Sequence, residues 1–217
     1  VSAPEWVEQD ILPLNPYSRP GTPLETIDGV VVHYVGNPGT SAAANRSFFA
    51  NLALTHETYA SAHFVVGLEG EVLQCVPLSE VAYCSSQAND HTVSIEVCHA
   101  DEAGEFSAET MASLLRLTAW LCEEFDLAPA DVIRHYDVTG KICPKYYVDH
   151  PEAWEDFRSA LGAARRGERF LAKEDPRMAM PFAGPFCHFV YRSALYGSSP
   201  AAKRAIISLV RATPLSR

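Results

Sequence analysis

The sequence predicts an α/β domain: a central mixed β-sheet flanked by helices, built as a single domain with a C-terminal extension. Three observations carry this expectation. Short β-branched runs alternate along the chain with segments whose apolar residues recur at helical spacing. One pair of runs is joined by Gly67-Leu68-Glu69-Gly70, a hairpin signature, so the sheet is mixed rather than purely parallel. The 217 residues, 47% hydrophobic and 10% aromatic, supply a sizeable core and suit one domain with an appendage better than two.

The elements follow in order. The first 26 residues carry Pro4, Pro13, Pro16, Pro20 and Pro23, which predicts an extended segment packed on the domain rather than a helix. Val30-Val31-Val32 reads as a buried strand that ends before the turn former Gly36-Asn37-Pro38-Gly39. Thr40 or Ser41 then caps a helix with Phe48, Phe49 and Leu52 on its apolar side. The hairpin comes next, and residues 93–98 (VSIEVC) form another short strand. Ser107 caps the clearest helix, where Met111, Leu114, Leu115, Thr118, Leu121, Cys122 and Phe125 share one stripe that stops before Pro129. Residues 131–134 make a strand that delivers His135. After a loop, Pro151 opens a helix carrying Trp154, Phe157 and Leu161.

Charge divides the chain. Residues 1–169 hold 25 acids and 10 bases, whereas 170–217 hold 2 acids and 7 bases. A net charge of −10 argues against nucleic acid as a partner, because that affinity rests on clustered Lys and Arg. No apolar run approaches the roughly 18 residues of a membrane span. The first residues do not resemble a signal peptide, although the chain begins at Val1 and export stays open. The basic tail, with a short helix expected around 199–211, reads either as a docked or solvated extension or, through its positive charge, as an aid to binding anionic polymers. Six cysteines without a CxxC pair do not indicate a disulfide framework, and Cys75, Cys98 and Cys122 read as buried thiols.

Three ligand-type residues stand out by position. His33 sits at the carboxyl end of a buried strand, where open α/β sheets place their sites. His135 ends a second strand. Cys143 lies in the following loop between Lys141 and the pair Pro144-Lys145, a setting better suited to chemistry than to a core. Two imidazoles and one thiolate make a good zinc set with a fourth position free for water, and Lys141 should lower the thiol pKa. A strand-end histidine taken alone is more often a hydrogen-bonded residue, and no short motif decides between the readings. Glu96 adds to the first. It is an acid inside an otherwise apolar strand, which is costly unless it is paired, solvated or functional, and the plain alternative is a strand face open to water.

Taken together, RPGTPL (19–24), VVVHYVGNPG, SAHFVVGLEGEVLQCVP, NDHTVSIEVC and RHYDVTGKICPKY resemble the zinc-dependent N-acetylmuramoyl-L-alanine amidases. That family includes phage endolysins, bacterial autolysins and the related peptidoglycan recognition proteins. The resemblance spans residues 19–161, about two thirds of the chain. It implies an amidase-like domain at 27–169, with 1–26 packed against it and 170–217 of unassigned role. It further implies Zn2+ held by His33, His135 and Cys143, with Glu96 as general base, Lys141 stabilising the oxyanion and His63 lining the substrate site. The implied substrate is peptidoglycan at the bacterial cell wall, cut between N-acetylmuramic acid and L-alanine. A non-catalytic peptidoglycan-binding module is the alternative, disfavoured because Cys143 and both histidines are present. Two positions depart from the family pattern: Ala62, where short phage members carry tyrosine, and Tyr83-Cys84, where relatives often read Trp-His.

Overall fold

A computed structural model describes residues 1–165. The basic tail at 170–217, with the helix expected around 199–211, lies outside the described residues. Among the described residues, six strands form one mixed sheet in the order β1-β4-β3-β5-β2-β6. They are β1 (Glu8–Gln9), β2 (Gly29–Tyr34), β3 (Phe64–Val66), β4 (Val72–Gln74), β5 (Thr92–Val97) and β6 (Val132–Arg134). Only β3 and β4 pair antiparallel, across the expected hairpin, and the remaining pairs run parallel. Gly70 makes that hairpin possible. Its φ is +83°, and a Cβ there would stand 2.9 Å from the Glu109 carbonyl oxygen.

Helices cover both faces of the sheet. On one side α1 (Ala42–Thr55) sets Phe49 against Val65 and Leu73 in a cluster that also takes Leu12 and Ala62. On the other, Trp120 of α2 (Ala108–Glu124) meets Phe64 edge to face at 6.4 Å. The period of two along β3 accounts for this, since Phe64 and Val65 point to opposite faces. Helices α1 and α2 start as the sequence predicts: Ser41 Oγ accepts from the Ala44 N–H, and Ser107 Oγ from the Thr110 N–H. The chain then continues through α3 (His135–Thr139), α4 (Lys145–Asp149) and α5 (Pro151–Arg165). Trp154, Phe157 and Leu161 of α5 are buried.

Two details differ from the sequence reading. Phe49 is buried, but Phe48 is 44% exposed. Neighbours on a helix point about 100° apart, so a narrow apolar stripe takes one of them and not both. The proline-rich opening segment contains no helix; it turns at 5–6 and 16–18 and joins the sheet as the short edge strand β1 beside β4. Further along, Arg19 clasps Glu80 through two hydrogen bonds of 2.7 and 2.6 Å, and its Nη1 donates to the Leu12 carbonyl at 2.7 Å.

Candidate metal centre

The carboxyl ends of three parallel strands converge on one spot. His33 is the penultimate residue of β2 and Glu96 the penultimate residue of β5. The two are register partners, so they stand side by side on the same face of the sheet. His135 arrives by another route, as the first residue of α3 immediately after β6. That junction is held by Asp137, which accepts from the Arg134 backbone N–H at 2.9 Å and from its guanidinium at 2.7 and 3.0 Å. The Cys143 loop folds back on the same helix, where the Tyr136 N–H donates to the Cys143 carbonyl at 2.9 Å. Arg134 also reaches the Tyr147 carbonyl at 2.7 Å, tying both flanks of the loop together.

One ligand atom each from His33, His135 and Cys143 lies within 4.8 Å of the others, and all three residues are buried. His33 Nδ1 is 3.8 Å from Cys143 Sγ, and the imidazole rings meet edge to face with centroids 4.5 Å apart. Nitrogen and sulfur donors around a tetrahedral zinc ion stand about 3.6 Å apart, so the first separation is close to what such an ion requires. His135 Nδ1 is buried without a hydrogen-bond partner. An orphaned buried lone pair is costly unless something takes it up, and a metal ion would do so. The donor set and the orphaned nitrogen both fit a metal centre with three protein ligands.

Protonation states agree with that fit. Burial first, then His135 and Lys141, hold His33 well below its ordinary pKa. Burial and then Lys141 lower His135 as well, so both imidazoles favour the neutral form that binds metals. Cys143 differs from the sequence expectation. Lys141 does favour its thiolate, as does the Tyr34 backbone hydrogen bond, but burial and Glu96 outweigh them and push the thiol up to about 12. A divalent cation reverses that balance by binding the thiolate directly. Burial likewise pushes Glu96 up to about 8, against the opposing pull of the Cys84 hydrogen bond and of Lys141. Its Oε2 is buried and unpartnered.

Lys141 is exposed, with its charge acting on His33, His135, Glu96 and Cys143, which sets it at the rim of the cluster. His63, expected to line the substrate site, is fully buried, with Nε2 2.9 Å from the Glu80 carbonyl and Nδ1 accepting from the Ser94 N–H at 3.0 Å. Both ring nitrogens serve the fold, and burial lowers its pKa to about 4. Ala62 is also fully buried, inside the α1-side core.

Two residues at the site were not legible beforehand. Ser85 Oγ lies 3.0 Å from His33 Nε2, which leaves Nδ1 to face the cluster. Asn89 Oδ1 in turn accepts from the Cys84 N–H at 3.0 Å and the Ser85 N–H at 2.6 Å. Metal-binding imidazoles are usually steered in this way by a partner on the second nitrogen. The only sequence signal was a polar Ser-Ser-Gln-Ala-Asn turn before β5, which looks like any loop.

Comparison with known proteins gives a consistent result. The family profile described as N-acetylmuramoyl-L-alanine amidase matches residues 23–146. The N-acetylmuramoyl-L-alanine amidase BlyA of Bacillus subtilis (strain 168) is 32% identical over 186 residues, covering 76% of this chain and 49% of the relative. CwlL of Bacillus licheniformis, another N-acetylmuramoyl-L-alanine amidase, is 33% identical over 168 residues, covering 71% and 46%. The chain thus spans about half the length of these curated relatives. Among solved structures, the catalytic domain of XlyA superposes with a TM-score of 0.61 at 28% identity, covering 72% of this chain and 99% of that domain.

Proposed function

The chain belongs to the N-acetylmuramoyl-L-alanine amidase family, and on that premise we propose that it is a zinc-dependent hydrolase of peptidoglycan. The bond cut is the amide between N-acetylmuramic acid and the L-alanine of the stem peptide, and the place of action is the bacterial cell wall. One observation carries the reading: His33, His135 and Cys143 converge, with Glu96 beside His33 on the neighbouring strand. His33, His135 and Cys143 would hold the ion. When bound, zinc supplies Lewis-acid polarisation of the scissile carbonyl and lowers the pKa of water.

The chain's own residues do the rest. Ser85 Oγ holds the His33 ring by Nε2 and keeps Nδ1 turned toward Cys143. Glu96 stands beside His33 with Oε2 uncommitted, so that oxygen takes the proton of the attacking water and returns it to the departing L-alanine nitrogen. The Lys141 ammonium offsets the negative charge that grows on the carbonyl oxygen. Among the described residues no helix is long and apolar enough to cross a membrane.

The test is mass spectrometry of purified peptidoglycan digested by the native protein, the chelator-treated protein and Cys143→Ser in parallel. Free stem peptides beginning with L-alanine are expected from the native protein alone. Intact muropeptides in all three samples, with zinc bound to the native protein, would replace hydrolysis by recognition.

A further inference from the structure

Cys84 lies next to the site without belonging to the proposed ligand set. We infer that Cys84 is a positioning residue for Glu96: its thiol donates to Oε1 and leaves Oε2 as the one carboxylate oxygen open to the reacting proton. The inference rests on the amidase reading for its consequence, though not for the hydrogen bond itself.

Three observations carry it. Cys84 Sγ lies 3.5 Å from Glu96 Oε1, within reach of an S–H···O bond. Oε2 of the same carboxylate is buried with no partner, so the two oxygens are inequivalent in the folded chain. The thiol is also held from behind. Asn89 Oδ1 accepts from the backbone N–H of Cys84 and of Ser85, so one carboxamide fixes the turn that steers both His33 and Glu96. A short rigid turn thus sets the ligand ring and the acid relative to each other. A thiol suits this role because a protonated sulfur donates to a carboxylate, whereas a thiolate there would repel it. The competing use of the sulfur is as a metal ligand, because Cys84, Glu96 and His33 also offer donor atoms within 4.8 Å of one another.

The experiment uses the full-length zinc-loaded protein, with kinetics and infrared spectroscopy on the same samples. Cys84→Ala is expected to lower kcat about five-fold, the effect of one modest hydrogen bond, with KM within about two-fold and zinc content unchanged. Cys84→Ser keeps a donor and should recover most of kcat. In a Glu96→Gln background Cys84→Ala should cost nothing further, because its effect runs through the acid. The S–H stretch lost in Cys84→Ala should lie below that of a non-bonded thiol and move up in Glu96→Leu. That shift holds whether or not the protein hydrolyses peptidoglycan: a shifted band in an inactive protein would support the hydrogen bond and overturn only the amidase reading. An equal kcat loss in the Glu96→Gln background would overturn the inference, as would an S–H band indifferent to Glu96→Leu. So would the loss of thiolate-to-metal absorption from the cobalt-substituted protein on Cys84→Ala, which would make the sulfur a ligand.

Discussion

His33 and Glu96 are register partners across β2 and β5, two parallel interior strands of the sheet. The pairing sets a ligand-type imidazole and an acid side by side at strand ends that the sheet holds rigid. Each is one residue from the end of its strand, close enough to the loops for a substrate to reach and far enough inside for the backbone to be fixed.

Removing the sulfur tests the cluster most directly. Cys143→Ser should lose most of its bound zinc at micromolar protein while its circular dichroism stays native, because the residue contributes a donor rather than core volume. Metal analysis after gel filtration measures this. Retention of one zinc per chain would remove Cys143 from the ligand set.

Ser85→Ala should weaken zinc binding by about 10- to 100-fold, the usual penalty for losing the group that orients a metal-binding imidazole. Competition against a chromophoric chelator reads the affinity. An unchanged affinity would mean that the His33 ring is fixed by its packing alone.

His63→Ala should destabilise the fold by about 2 kcal/mol, since it strands the Ser94 N–H and the Glu80 carbonyl in the interior. KM for peptidoglycan fragments should not move. A raised KM at unchanged stability would place His63 on the substrate surface. The ring also imparts a pH dependence. Its folded pKa of about 4 lies below the ordinary 6.5, so the unfolded chain binds the extra proton first. That share of stability is full above about pH 6.5 and is lost as pH falls toward 4, and His63→Gln should flatten the slope in urea titrations across that window.

Glu96 acts with the opposite sign in the metal-free protein. Its folded pKa of about 8 lies above the ordinary 4.5, so the native state holds the proton longer than the unfolded chain. Metal-free stability should therefore fall as pH rises from about 4.5 to 8, and Glu96→Gln should remove that decline. Denaturant midpoints of the chelated protein measure it. A flat profile in the unsubstituted protein would mean that water already solvates the carboxylate.

Arg19→Ala should cost about 2 kcal/mol, because it leaves Glu80 without its bidentate partner and frees the Leu12 carbonyl. Thermal unfolding with a single transition would show that the N-terminal segment melts together with the sheet.

Much of this protein could be read from local pattern. A β-branched run marked Val30-Val31-Val32, a short apolar run marked the strand around Glu96, helical spacing marked α2, and Thr40 or Ser41, Ser107 and Pro151 announced their helices. These signals survive because period, capping and turn chemistry depend on residues within a few positions of one another. His33, His135 and Cys143 were visible as residue types at strand ends and in a polar loop. Their meeting at one point was not, because it depends on the register of β2, β5 and β6 across 110 residues of chain. Tertiary packing alone decided that His63 turns both nitrogens inward and that Phe48 stays in water while Phe49 is buried. It also decided that an ordinary Ser-Asn turn supports His33, and that Cys84 reaches Glu96 instead of solvent. The contacts of His33, His63 and Cys84 join segments distant in sequence, and their energy comes from burial and hydrogen-bond geometry that no single stretch of chain specifies.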